Sequence, residues 1–184
     1  MELNTVYNED CIKGMERIGD KSIDLILTDL PYGVTDCKWD NIIPFPKLWE
    51  QYNRIIKDNG AIVLFSIQPF TISKEYKQQY TNYPVHLLQF NNEAATNKNR
   101  LHPTQKPVAL CEYLIKTYTN VGGIVLDSCA GSGTTLLAAK NTGRNYIGFE
   151  TDEYYYKVIL ERLTEQCDGT QQNKKGVDNI HNMV

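Results

Sequence analysis

The stretch VLDSCAGSGTT, residues 125–135, constrains this chain more than any other. A short apolar strand, Ile124 to Leu126, runs through Asp127 into Gly131, Ser132 and Gly133, and a helical pattern follows to about Asn141. Open α/β sheets bring backbone close to a nucleotide in this way, through a glycine turn between a strand's carboxyl end and a helix N-terminus. A second strand, Tyr146 to Phe149, and a long helix from Asp152 to about Glu165 complete a βαβα unit. No Walker-type lysine follows the glycines, which argues against a phosphate-gripping loop for ATP. Thr134, Thr135 and Leu136 also leave the dinucleotide fingerprint without its third glycine. Glu150 closes the second strand 19 residues after Gly131, close to the spacing at which an acid meets ribose hydroxyls. An adenosine ligand without a pyrophosphate satisfies all of these features, and S-adenosylmethionine is the obvious one. The competing reading of the motif taken alone is a plain strand-turn-helix whose glycines serve only the turn.

The rest of the chain supports a largely parallel sheet. Leu3 to Tyr7, Ile23 to Thr28 and Ala61 to Phe65 are apolar runs of strand length, alternating with helical patterns as βα units do. Leu48, Trp49, Tyr52, Ile55 and Ile56 recur at helical spacing behind Pro46, with Gly60 as the expected stop. The stretch 68–100 is rich in Gln, Asn, Thr and Tyr, and predicts one helix, Phe70 to Tyr80, and one strand, His86 to Phe90. Pro107 opens a helix whose apolar face is Val108, Cys111, Leu114, Ile115 and Tyr118. The polar tail 168–184 has too little apolar content to offset its ordering entropy and is expected to fray, which leaves one domain over 1–167.

Composition narrows the partners. In 184 residues, 19 basic side chains face 22 acidic ones for a net charge of −3, so any nucleic-acid contact must be local rather than a general pull on polyanions. The five cysteines form no C-x-x-C pair and read as reduced thiols; with no signal peptide and no apolar run of membrane-spanning length, the cytosol is the expected compartment and no membrane partner is expected.

Two further stretches carry chemistry. In LTDLPYG, residues 27–33, Asp29 stands at the carboxyl end of a strand, where such sheets bind ligands. Pro31 removes a backbone donor. The Asp29 carboxylate with the carbonyl of Leu30 or Pro31 is able to hold an exocyclic amine by its two hydrogens, while Tyr32 stacks on the attached ring. A strand-ending turn is the plain alternative, since Asp, Pro, Tyr and Gly are common turn residues. In HPTQKP, residues 102–107, Thr104 and Lys106 stand at a helix mouth whose free N–H groups form a local anion site, able to take a carboxylate such as that of a methionyl group; an ordinary prolyl helix entry is the alternative.

Together these stretches resemble the DNA amino-methyltransferases in which the catalytic motif precedes the cofactor motif, closest to the adenine-N6 enzymes of phages and prophages. The catalytic signature, Asp/Asn/Ser-Pro-Pro-Tyr/Phe, is matched by Asp29-Leu30-Pro31-Tyr32, and Asp in first place suits adenine. The cofactor signature resembles Asp127 to Gly133 followed by Thr134, the ribose acid resembles Glu150, and Asp10 lies where the family contacts the cofactor's adenine amino group.

The resemblance implies a Rossmann-like fold, S-adenosylmethionine as cofactor, no metal, and adenine in DNA as substrate. It also implies direct transfer: hydrogen bonds from N6 to Asp29 and a backbone carbonyl localise a lone pair otherwise delocalised into the ring. A base inside a duplex is out of reach and has to be flipped out, onto Tyr32 here. Leu30 replaces the first proline of the signature, and Ser128 and Cys129 replace its common Pro-Phe. Between Phe65 and His102 only 36 residues stand where relatives carry the remaining strands and a target-recognition segment, so fewer than seven strands and a shortened variable region are expected. DNA contact through a second subunit, or through a homodimer, is the corresponding expectation. The rival readings are an inactive relative that retains the cofactor fold, or a methyltransferase for RNA or another amine.

Overall fold

The computed structural model describes residues 1–31, 33, 42–65 and 105–165. Five strands are present there: β1 (Thr5–Tyr7), β2 (Ile23–Asp29), β3 (Ile56–Phe65), β4 (Ile124–Asp127) and β5 (Asn145–Phe149). They form one sheet in the order β1-β5-β4-β2-β3, and every neighbouring pair is parallel. The helix expected at 70–80, the strand at 86–90 and the tail from 168 lie outside the described residues.

Among the described residues five helices cover the sheet: α1 (Cys11–Met15), α2 (Phe45–Ile55), α3 (Val108–Tyr118), α4 (Thr134–Asn141) and α5 (Glu153–Glu165). The short α1 carries no long periodic signal and was not anticipated; Asp10 starts it by accepting the Lys13 N–H at 3.1 Å. Pro46 stands in the first turn of α2 as expected. The end of that helix differs from expectation. It stops at Ile55, Ile56 already belongs to β3, and Gly60 lies inside the strand. The β2–β3 register explains this, passing from Ile23↔Ile56 to Leu25↔Ala61, so that β3 advances five residues while β2 advances two. A Cβ on Gly60 would stand 2.8 Å from the Ile56 side chain and 3.0 Å from the Asp24 carbonyl. The glycine thus permits a close approach inside the sheet.

Both faces of the sheet are covered, which is why its strands read as continuous apolar runs. Leu25, Leu27, Val125 and Tyr146 pack with α3, α4 and α5; Ile26, Leu126, Ile147 and Phe149 pack with α1 and α2. The layers approach closely where glycine allows it. A Cβ at Gly14 of α1 would lie 2.1 Å from the Phe149 ring, and one at Gly148 would lie 2.6 Å from Leu136 of α4. Among the described residues no helix is long and apolar enough to cross a membrane.

The strand order places the chemistry. From β4 the chain crosses to β5 on one side, whereas β2 leads to β3 on the other, so the carboxyl ends of the adjacent β4 and β2 form the crevice where open α/β sheets bind ligands. The glycine turn leaves β4 at that point, and Asp29 ends β2 beside it.

Candidate active site

The glycine turn is built from backbone. Gly131 and Gly133 both have left-handed φ, +54° and +75°, a region that side chains with a Cβ rarely adopt. The Ala130 N–H donates to the Phe149 carbonyl at 2.9 Å, and the Gly133 N–H to the Ala130 carbonyl at 2.7 Å, which turns the chain straight into α4. Among the described residues, and apart from its two chain neighbours, nothing lies within 4 Å of the Cβ position of Gly131. That face of the turn is open to a ligand.

Glu150 binds the turn to its neighbours. Its Oε2 accepts the Gly131 N–H and its Oε1 the Asp152 N–H, each at 2.8 Å. Its own N–H donates to the Tyr7 carbonyl at 3.0 Å, and its carbonyl accepts from Asn8 Nδ2 at 2.8 Å. The ends of β1, β5 and β4 are thereby joined at one acid, and burial pushes its pKa above the usual carboxylate value. A carboxylate oxygen that already accepts one N–H retains acceptor capacity for a ribose hydroxyl. Asp10 stands exposed at the end of the β1 segment, with Oδ1 used in capping α1. A left-handed turn with an open side and an acid against its first glycine suits a nucleoside.

Asp127 has a different environment from the other cofactor candidates. It is buried under the turn, where Oδ1 accepts from Thr28 Oγ1 at 2.8 Å and from the Cys129 N–H at 3.1 Å, and Thr135 adds a third hydrogen bond. Its observed contacts therefore shape the turn. Burial raises its pKa to about 6. Thr28 also lies 3.3 Å from Ser128 Oγ, which is 2.6 Å from the hydroxyl of fully buried Tyr52. A polar chain thus runs from α2 through the cofactor turn to the residue before Asp29. In the sequence Ser128 stands out only as a departure from the family's Pro-Phe, Thr28 only as the end of a strand and Tyr52 only as part of an apolar helix face; none of the three is marked there as a polar partner of the site. Burial also raises the Cys111 thiol to about 12, and a hydrogen bond with Cys11 together with burial raises Cys129 well above its ordinary value, so both thiols stay protonated.

The raised Asp127 pKa has a predictable effect on stability. A carboxyl at about 6 when folded and near 3.8 when unfolded favours the folded state fully below 3.8, and that contribution is lost as pH rises through 6. Two pKa units correspond to about 3 kcal/mol. Urea unfolding from below pH 3.8 to above pH 6 should show stability falling across that window, and Asp127→Asn should flatten the slope. Glu150, shifted in the same direction, is expected to leave a smaller residual slope.

Asp29, half-buried, forms an ion pair with Lys106, whose ammonium lies 5.2 Å from the centroid of the Phe65 ring. Phe65 is the β3 partner of Asp29 in register. The segment before α3, expected to serve the cofactor, is therefore joined directly to the catalytic candidate. Leu30 is buried and Pro31 partly so; Tyr32 and Thr104 lie outside the described residues. Thr134 is buried in the first turn of α4.

Comparison with known proteins agrees with this geometry. The type II methyltransferase M.HinfI of Haemophilus influenzae is 30% identical to this chain, over 89% of the chain and 69% of its own length. M.HpaI of Haemophilus parainfluenzae is 27% identical over 87% and 74%. The two alignments extend over 248 and 232 positions, whereas 89% and 87% of this chain amount to about 164 and 160 residues, so both relatives carry tens of residues without a counterpart here. The crystal structure of the M1.HpyAVI–SAM complex superposes with a TM-score of 0.60 at 24% identity, covering 86% of this chain and 98% of that one, and shares its fold. Residues 70–161 match the DNA methylase family of N6/N4 methyltransferases. With half its length inside that match, and a relative at 30% identity aligned over 89% of it, the chain belongs to the N6/N4 DNA methylase family.

Proposed function

We propose that this protein transfers a methyl group from S-adenosylmethionine to the exocyclic N6 of adenine in DNA. The observation that carries the reading is the placement of Asp29 and the Gly131–Gly133 turn at the carboxyl ends of two hydrogen-bonded parallel strands. The cofactor supplies an electrophilic methyl group on a sulfonium. Gly131 and Glu150 hold its ribose side and Asp10 its adenine side, while Lys106 offers a cation to its carboxylate and Thr104, two residues earlier in the sequence, a hydroxyl.

Asp29 accepts one N6 hydrogen and the carbonyl of Leu30 or Pro31 accepts the other. The amine loses conjugation with its ring and its lone pair becomes available along one direction. Positioning and fixed dipoles, rather than deprotonation beforehand, supply the rate. The Lys106 ammonium, paired with Asp29, would also be the cation to hold the cofactor's carboxylate, leaving Asp29 to accept from the amine. Tyr32 stacks on the flipped base.

The methyltransferase domain spans 1–167 with a shortened variable region at 68–100, a reading supported by the relatives' unmatched positions. A protein with a net charge of −3 and a shortened recognition part takes DNA through a second subunit or as a homodimer, in the bacterial cytoplasm.

Incubation with labelled S-adenosylmethionine and duplex DNA, single-stranded DNA, RNA or free nucleosides tests the assignment. Label recovered as N6-methyladenine from DNA is the expected result. Transfer confined to RNA or nucleosides would change the substrate, and cofactor binding with no transfer to any of them would identify an inactive relative.

A further inference from the structure

Arg162 belongs to no motif of the sequence, yet from α5 it reaches the underside of the cofactor turn. Its Nη1 donates to the Ser132 carbonyl at 2.8 Å and to Thr134 Oγ1 at 3.1 Å, with Ser132 Oγ at 3.4 Å. Ser132 and Thr134 are both buried. One turn earlier on α5, Ile159 would lie 3.0 Å from a Cβ at Gly133.

The position is unfavourable for a cation in general terms. Burial lowers the Arg162 pKa, and the N-terminal end of α4, where its partners sit, carries the positive end of the helix dipole. Direct bonds, not the surrounding field, must therefore hold the guanidinium there, and a fork of fixed N–H directions orients the groups it binds. Those groups flank Gly133, the second left-handed residue of the turn.

We propose that Arg162 is a positioning residue for cofactor binding: by fixing Ser132 and Thr134 from beneath, it sets the shape of the Gly131–Gly133 turn without touching the cofactor. This rests on the reading that the turn holds the cofactor.

Arg162→Met keeps much of the length and removes every donor; Arg162→Lys restores a charge and a donor. Binding of S-adenosylhomocysteine by calorimetry is the primary readout, with thermal unfolding measured alongside. Loss of hydrogen bonds from a charged group should weaken binding by about tenfold in Arg162→Met. Arg162→Lys should recover part of that loss. In kinetics the cofactor KM should rise while kcat at saturating cofactor stays within about twofold. Thr134→Ala should cost little in the Arg162→Met background, because its partner is already gone. Wild-type affinity in a folded Arg162→Met protein, or a lowered melting temperature with unchanged affinity, would overturn the proposal. If Arg162→Met does not fold, wild-type affinity in Arg162→Gln overturns it and weakened affinity supports it. No binding by the wild-type protein would overturn the cofactor-site reading and this proposal with it.

Discussion

Asp29→Ala is expected to reduce methyl transfer by about 10²–10³-fold, the loss typical of removing one preorganised hydrogen-bonding group from a reacting centre. Cofactor affinity should change far less, because Asp29 ends β2 whereas the glycine turn and Glu150 follow β4 and β5. Single-turnover transfer to DNA, with S-adenosylhomocysteine binding measured in parallel, separates the two effects. Asp29→Asn sharpens the test. It retains an oxygen acceptor but loses the negative charge that pairs with Lys106. An intermediate rate is expected, and transfer at the wild-type rate in either variant would remove Asp29 from the reaction.

The second large effect is expected at Glu150. Glu150→Ala removes the acceptor of the Gly131 and Asp152 N–H groups, and each partly buried donor left without a partner costs about 1–3 kcal/mol. Stability should therefore fall by about 2–6 kcal/mol. Cofactor binding should fall at least tenfold, since the ribose acid and the turn's first anchor are lost together. Glu150→Gln keeps the volume but presents an amide NH₂ to one of two N–H donors. Its turn should be disturbed more than its packing, with cofactor affinity lost at a melting temperature above that of the alanine variant. Unchanged cofactor affinity in Glu150→Ala would show that the acid serves the fold alone.

Local patterns in the sequence revealed much of this protein. The strands of the parallel sheet were visible as apolar runs because a strand buried on both faces needs no polar alternation. Gly131 and Gly133 marked the turn because left-handed backbone strongly favours glycine, and Glu150 announced itself by spacing. Asp29 stood at the end of a strand, which in an open sheet is the ligand side. The exit of α2 was misplaced for an equally physical reason. Ile55 and Ile56 both continue the helical spacing, and nothing local signals that the next strand begins at once and absorbs Gly60 in a register jump against β2.

What remained hidden depended on side chains far apart in the chain. Thr28 meets Asp127 across 99 residues, Tyr52 meets Ser128 across 76, and Lys106 reaches Asp29 across 77. Arg162 grips a turn 28 to 30 residues earlier from a helix that reads as ordinary amphipathic cover. Periodicity and glycine placement report what each residue's own backbone must do, so the sequence alone determined the sheet, the turn and the two candidate sites. Which buried polar groups satisfy one another depends on which strands become neighbours. That pairing, β4 beside β2 with α5 behind the turn, was decided only by the tertiary structure.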